Sequence, residues 1–503
     1  MGKTIFFFVI SFLLAACSGE PVCYYLDATG GNDNNSGLSP NKAWKSLDKL
    51  REVTLLPNNK VLLKRGDVFI GELEISAQGL PENRIWIDAY GDGERKPCIV
   101  GHDTSLYAVR IYNSDYVTLQ NLEIVNTGSQ PLPYRSGLKI ESMDYGVSRH
   151  IEVRDVTVRD VNGSLVKGKG GGCGIYIVNG GKKKVSTFDH LIIEGCHILR
   201  CTRNAMIWSA YSDRQNWHPN MHTVIRGNLI EEVPGDGIVP IGCDSTLIEY
   251  NVMRNCPDML PDTEAAAGIW PWSCDNTLVQ FNEVSDHKAP WDAQGFDSDW
   301  NCTGTVIQYN YSHDNYGGLV LICNDGTASK SFNVGNLGTI VRYNVSIGDG
   351  VRPKPTRAGM FSPAIHLAGP VKNSRITHNI IHVNRKPMEN IDRTMVTLDS
   401  WGGYPDSTFF DGNIFYTPEV SRFTTTESTH NFFRGNYYLG KFKNLPEDSE
   451  MRQASDIYRD KVVSVDENGY RGLALLMDTL EVAGTKGVFV NKEKVKTFLL
   501  LGR

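Results

Sequence analysis

The 503-residue chain predicts an all-β fold: a single-stranded, right-handed parallel β-helix solenoid with an N-terminal helical cap. Two observations predict it. The first is a repeated sentence. Cys243-Asp-Ser-Thr-Leu-Ile-Glu-Tyr-Asn251 returns as Cys274-Asp-Asn-Thr-Leu-Val-Gln-Phe-Asn282, as Cys302-Thr-Gly-Thr-Val-Ile-Gln-Tyr-Asn310, and as Leu337-Gly-Thr-Ile-Val-Arg-Tyr-Asn344. Weaker copies end at Asn121, Asn228, Asn379, Asn413 and Asn436. A short β-branched run that recurs every 23 to 35 residues is a solenoid signature. The second is composition: 49 glycines and abundant asparagine suit tight turns rather than a helical repeat. Each coil stacks on the last, so equivalent positions align in columns.

The elements follow in chain order. Residues 1–16 read as a lipoprotein signal peptide: Lys3, then the apolar run Ile5 to Leu14, then Leu14-Ala15-Ala16-Cys17. Cys17 is the expected lipidation site, as in a bacterial lipobox. This predicts an outer membrane-anchored lipoprotein on the periplasmic or cell-surface face, touching the membrane only through its N-terminal lipid. No other segment offers the ~20 apolar residues of a membrane-spanning helix. Residues 17–59 form the lipidated N-terminus and a cap. A short amphipathic helix is expected near Asn41, covering the open end of the first coil. Residues 60–440 carry the β-helix. Residues 441–503 lose the asparagine repeat and are read as closing coils and a C-terminal cap, with a partly helical stretch near Glu447–Lys461.

Formal net charge is −6, and loss of Lys3 with the leader makes it −7. That mild acidity argues against a nucleic-acid partner. A monomer is expected. Cys17 apart, ten cysteines remain. Cys243, Cys274 and Cys302 each stand eight residues before a repeat asparagine, so they should stack as small apolar fillers. No Cys-x-x-Cys pair suggests a metal. The glycine-rich run at 168–172 follows no phosphate-loop spacing, and Lys182–Lys184 reads as a solvated turn.

Chemistry is read down the columns. A second strand in each coil is anchored on glycine: Gly237-Ile-Val-Pro-Ile, Gly268-Ile-Trp-Pro-Trp, Gly295-Phe-Asp-Ser-Asp, Gly318-Leu-Val-Leu-Ile. If the residue after glycine points inward, alternation sends Val239 and Ile241, Trp270 and Trp272, Asp297 and Asp299, and Val320 and Ile322 outward. His366 is a later member. The two aspartate Cα atoms would lie ~6.7 Å apart, with coils ~4.8 Å apart. Such proximity raises one carboxyl pKa, and glycoside hydrolysis needs a carboxyl pair. Exposed tryptophans beside the pair suit sugar rings. An isolated acidic pair on a solenoid is ordinarily just solvated; the tryptophans shift the reading to a site. Asp292 lies on a preceding loop that also supplies His287 and Trp291, and the next turn supplies His313 and Asp314. For both histidines a turn-capping role weighs at least equally. Trp208, Tyr211, Arg214, Trp217, His218, Lys354 and Arg357 are further rim candidates.

Three stretches carry a resemblance: Tyr25-Leu-Asp-Ala-Thr-Gly-Gly-Asn-Asp33, Trp291-Asp-Ala-Gln-Gly-Phe-Asp-Ser-Asp299, and Gln308-Tyr-Asn-Tyr-Ser-His-Asp-Asn315. They resemble exported right-handed β-helix lipoproteins of the pectate-lyase-like superfamily from Bacteroides-type bacteria. The 292–299 segment is similar to β-helix glycoside hydrolases, including lacto-N-biosidase-like and fucosidase/xylanase-like families. The resemblance implies catalytic aspartates at Asp292, Asp297 and Asp299, an oligo- or polysaccharide substrate and no cofactor. The polygalacturonase pattern is missing: there is no Gly-His-Gly followed by Arg-x-Lys. Two other functions stay open. A polysaccharide lyase would use Ca²⁺ with Lys288 as the nearby base, and a non-catalytic glycan-binding protein would keep the tryptophans and tolerate loss of the aspartates.

Overall fold

A computed structural model describes residues 21–327, 333–350, 352–356, 359–383, 394–425 and 427–452. The leader 1–16, the lipidation site Cys17, Arg357 and residues 453–503 of the C-terminal segment lie outside the described residues. The chain folds as a right-handed parallel β-helix, and every pairing between described strands is parallel. One face is a 14-stranded sheet running from Cys23–Leu26 to Asn431–Arg434. Its register pairs Leu247 with Leu278, Leu278 with Val306, and Val306 with Ile340. The repeated sentence is therefore one strand per coil. Each strand is short, and its middle residue points inward: Ile248, Val279, Ile307 and Val341 form a fully buried column.

The repeat asparagines form a continuous internal ladder from Asn228 to Asn436. The backbone N–H and the side-chain Nδ2 of each donate to Oδ1 of the next at 2.8–3.0 Å. Asp448 ends the ladder by accepting from Asn436. Asn121 is not a rung. The strand register aligns Gln120 with Arg154, Glu194 and Arg226, which puts Leu122 in the ladder column. Asn121 sits one residue early, and its side chain bonds Asp88. Asn310→Ala removes an acceptor from two buried donors of Asn282 and a donor to Val279 O at 3.0 Å. We expect a loss of about 2–4 kcal/mol, read as a lower urea midpoint; an unchanged midpoint would remove the ladder from the stability argument.

Cys243, Cys274 and Cys302 stack, all fully buried, and the amide of Cys243 donates to Cys274 Sγ at 3.3 Å. All ten cysteines from Cys23 onward are free thiols. The N-terminal cap differs from the expected amphipathic helix. It is two 3-10 turns, Pro40–Lys42 and Leu47–Glu52. Between them Trp44 bonds back to the first strand, donating to Tyr25 O and accepting from Asp27 N. That extended pairing interrupts any continuous helix. No helix spans 447–452, the described part of the stretch expected to be partly helical.

The face that matters for chemistry runs through Asn204–Ser209, Ile238–Val239, Phe296–Ser298, Val320–Cys323, Ile365–Ala368 and Thr394–Asp399. Bridges from Ile238 to Ile269 and from Ile269 to Phe296 join the middle coils. Ile238, Ile269, Phe296 and Leu319 are all in the core, as alternation requires. The fourth coil is shifted, however. Asp297 pairs with Leu321, not Val320. Val320 and Ile322 belong to the core, and Leu321 and Cys323 take the outward positions. The cause is one extra residue after Gly318, where the backbone passes so close to the next coil that a Cβ would meet Pro363 O at 2.0 Å. Leu319 and Val320 both turn inward there.

Candidate active site

Outward positions on this face make two adjacent columns. One runs Ile207, Val239, Trp270, Asp297, Leu321, His366. The other runs Ile241, Trp272, Asp299, Cys323, Ala368. They floor a cleft of about 370 Å³ whose lining includes Lys167, Trp270, Trp272, Asp292, Asp297, Asp299, Trp300, Cys323 and Trp401. All three aspartates anticipated from the sequence meet in it.

Asp297 and Asp299 share a strand and point to the same side by alternation. Asp292 ends the short strand Trp291–Asp292 that precedes them, where it and Ala293 adopt left-handed backbone angles of φ 56° and 62°. That bend is clamped. Arg352 donates to the carbonyls of Ala289, Pro290 and Asp292 at 2.6–2.9 Å. The amide of Ala293 donates to Ala266 O at 2.7 Å.

The three carboxyls have different surroundings. Asp297 is 4% exposed, and its Oδ1 has no hydrogen-bond partner. Burial, then the charges of Asp292 and Asp299, push its pKa well above the carboxylate range. Asp292 is half-buried; burial, then Asp299, push it up to about 6, with Lys167 opposing. Asp299 is also half-buried and is raised by burial, but two donors hold its charged form. The amide of Trp300 lies 2.6 Å and the thiol of Cys323 3.1 Å from its Oδ1.

Aromatic groups surround the acids. Trp272, Trp300 and Trp401 are half-buried. Trp270, expected to be exposed, is 7% exposed. Its indole N–H donates to Asp236 Oδ1 at 3.1 Å, and Lys167 Nζ sits 5.1 Å from its ring. The reason is an inner wall that the sequence did not announce. Arg203 and Asp236 form a fully buried ion pair at 3.1 Å, and Arg203 also binds Ala265 O at 2.8 Å.

Other expected contacts fall elsewhere. His287 is fully buried, with Nε2 2.9 Å from Gly235 O, and burial lowers its pKa to about 4. Its amide donates to Asn315, which makes it a turn residue. His313 is bracketed by Asp314 at 2.8 Å and Glu283 at 3.3 Å. Burial opposes its charge, but these carboxylates win and raise it to about 9. His366 is buried against Phe361 and Trp401, and Trp401 in turn lines the cleft. Trp291 pairs with Ala265 on the strand carrying Asp292 and does not line the cleft. Trp208 is buried in the core, Arg214 pairs with Asp275, and Lys354 pairs with Asp258. Lys167, Trp300, Cys323 and Trp401 line the cleft without having been anticipated from the sequence. Lys167 immediately precedes the glycine-rich run set aside as an implausible phosphate loop; a 3-10 turn spans Lys167–Lys169, and Gly170 adopts left-handed angles.

Fold and cleft together define a class: a β-helix with three carboxyls in an aromatic-lined groove. The comparisons agree with the fold. A family model described as right handed beta helix region matches residues 148–338. The chain is 24% identical over 521 residues to a lacto-N-biosidase of Bifidobacterium longum subsp. longum, covering 85% of this chain and 30% of that protein. It therefore spans about a third of the length of that curated relative. Crystal structures of GH136 lacto-N-biosidase from Eubacterium ramulus superpose with TM-scores of 0.61 and 0.60, at 23% and 24% identity. Each match covers 84% of this chain and 68% of that one.

Proposed function

We propose that the chain is a glycoside hydrolase that cleaves an O-glycosyl bond of an oligo- or polysaccharide in this cleft. The observation that carries the reading is the meeting of Asp292, Asp297 and Asp299 among tryptophans. The likeness to lacto-N-biosidases supports it, and lacto-N-biosides are the first substrates to assay, beside a panel of plant and host glycans.

The surroundings of each carboxyl suggest a division of labour. Asp292 is half-buried, and its pKa of about 6 is suited to a general acid that protonates the leaving oxygen. Asp299, supplied with two donors, is the carboxylate that acts as nucleophile or base. Asp297 lies deepest of the three. With little exposure and no hydrogen-bond partner at Oδ1, it is read as a carboxyl that keeps its proton, while burial and the charge of Asp299 lift Asp292. Trp272, Trp300 and Trp401 offer faces for sugar rings. This chemistry is complete without a metal, because the carboxyl pair supplies both proton and nucleophile. Export, a lipid anchor at Cys17 and a monomeric state belong to the same reading.

The sign of the pH dependence follows. The general acid must be protonated and the nucleophile or base ionised, so kcat/KM should be bell-shaped, falling on the acid side as Asp299 takes up a proton and on the alkaline side above about pH 6. The alkaline limb should fall about tenfold per unit. Initial rates of reducing-sugar release from pH 4 to 9 test this. A rate that stays flat to pH 8 would remove Asp292 from the acid role. No sugar released from any glycan, with binding intact, would reduce the protein to a glycan-binding module.

A further inference from the structure

Away from the cleft, three side chains on two successive coils converge on one point. We propose that Asp189, His190 and His222 form a binding site for a divalent transition-metal ion of the zinc class. Asp189 ends the strand Thr187–Asp189, and His190 follows it. The register pairs Ile192 with Val224, so His190 and His222 hold equivalent turns. Both turns are left-handed, with φ 60° and 54°, which throws the rings out side by side. Their centroids are 4.7 Å apart, and His150 continues the stack at 4.6 Å from His190.

One carboxylate oxygen faces both rings. Asp189 Oδ1 lies 2.8 Å from Nδ1 of His222 and 2.8 Å from Nδ1 of His190. The first contact is a hydrogen bond. The second is not: His190 Nδ1 is shielded from water yet has no hydrogen-bond partner. One ligand atom from each of the three residues lies within 4.8 Å of the others. A tetrahedral zinc ion with bonds of 2.0–2.1 Å sets its ligands about 3.3 Å apart. Small rotations of these partly exposed side chains would reach that spacing. Two imidazoles and one carboxylate suit zinc, cobalt, nickel or copper. Calcium and magnesium prefer all-oxygen sites. Three protein ligands leave a fourth position for water. Such an ion would staple two coils together and stabilise the fold by binding only the native state. None of the three residues lines the cleft, so this site does not depend on the catalytic reading.

The test uses tag-free full-length protein, stripped with chelator and titrated with Co²⁺. One Co²⁺ per chain is expected, with a visible absorption band that Zn²⁺ displaces and Ca²⁺ does not. Zn²⁺ should raise Tm. Affinity should fall at least tenfold in His222→Ala and Asp189→Asn, and the band should vanish in His190→Ala/His222→Ala. His222 is half-exposed at its side chain, so the single variant should fold, and His222→Gln serves as a second check. Asp299→Asn should bind Co²⁺ as wild type does. Absence of the band, or unchanged affinity in the double variant, would leave an ordinary carboxylate shared between stacked imidazoles and overturn the proposal.

Discussion

Asp299→Asn is expected to lower kcat/KM by about 10²–10⁴-fold while leaving the fold and glycan binding close to wild type. Asparagine keeps the volume of aspartate and can still accept from the Trp300 amide through its side-chain oxygen, so the strand should not move. What it loses is the negative charge. A nucleophile or base cannot function without that charge, whereas ring stacking on Trp272, Trp300 and Trp401 can. Binding and turnover should therefore separate. Asp292→Asn offers the contrast. A missing general acid matters least when the leaving group departs unaided, so an activated aryl glycoside should recover much of the rate in Asp292→Asn and little in Asp299→Asn. Asp299→Asn turning over within threefold of wild type would sink the assignment. The configuration of the first-formed sugar, followed by NMR, would then say whether the carboxyl attacks the sugar or activates water.

Much of this was legible in the sequence because a solenoid makes spacing equal to position. The asparagine period gave the coil, and alternation along Gly295-Phe-Asp-Ser-Asp placed Asp297 and Asp299 on one outer face. What was not legible came from two physical sources. One is insertion: a single extra residue at Gly318 moved the fourth coil out of step, so Leu321 and Cys323, not Val320 and Ile322, stand beside the aspartates. Counting from glycine cannot detect that. The other is contact between distant segments. Lys167 reaches the cleft from two coils before the Gly237 strand. Arg203 sits on a left-handed bend between the strands His197–Cys201 and Asn204–Ser209, buried against Asp236 and Glu264. No local pattern marks a residue whose partners lie 33 and 61 positions away. Of the two readings open for His287, the turn role is the one seen: its amide bonds Asn315, and its ring reaches Gly235 O, 52 residues earlier, instead of the cleft.

The buried pair carries the second large effect. Arg203→Met is expected to destabilise the protein by about 3–5 kcal/mol, because it leaves Asp236 as an uncompensated charge in a dry interior. Methionine fills much of the space, so the loss should reflect electrostatics and hydrogen bonding more than a cavity. Arg203 has four partners: Asn204 at 3.1 Å, Asp236 at 3.1 Å, Ala265 O at 2.8 Å and Glu264 at 3.4 Å. Glu264 in turn accepts from the amide of Lys167 at 2.8 Å. Asp236 holds the Trp270 indole and the Ala267 amide. One guanidinium thus ties together the Lys167 turn, the Ala265–Ala267 wall and the Trp270 floor. Losing it should loosen one wall of the cleft as well as the coil, so KM should rise alongside the fall in the urea midpoint. Asp236→Asn separates the two effects. It removes the charge yet retains a side-chain oxygen able to accept from Trp270. In the Arg203→Met background it should recover part of the lost stability, since the orphaned charge is gone. A double variant no more stable than Arg203→Met alone would mean that the cost lies in the broken hydrogen bonds and the lost Glu264 ion pair rather than in the stranded Asp236 carboxylate.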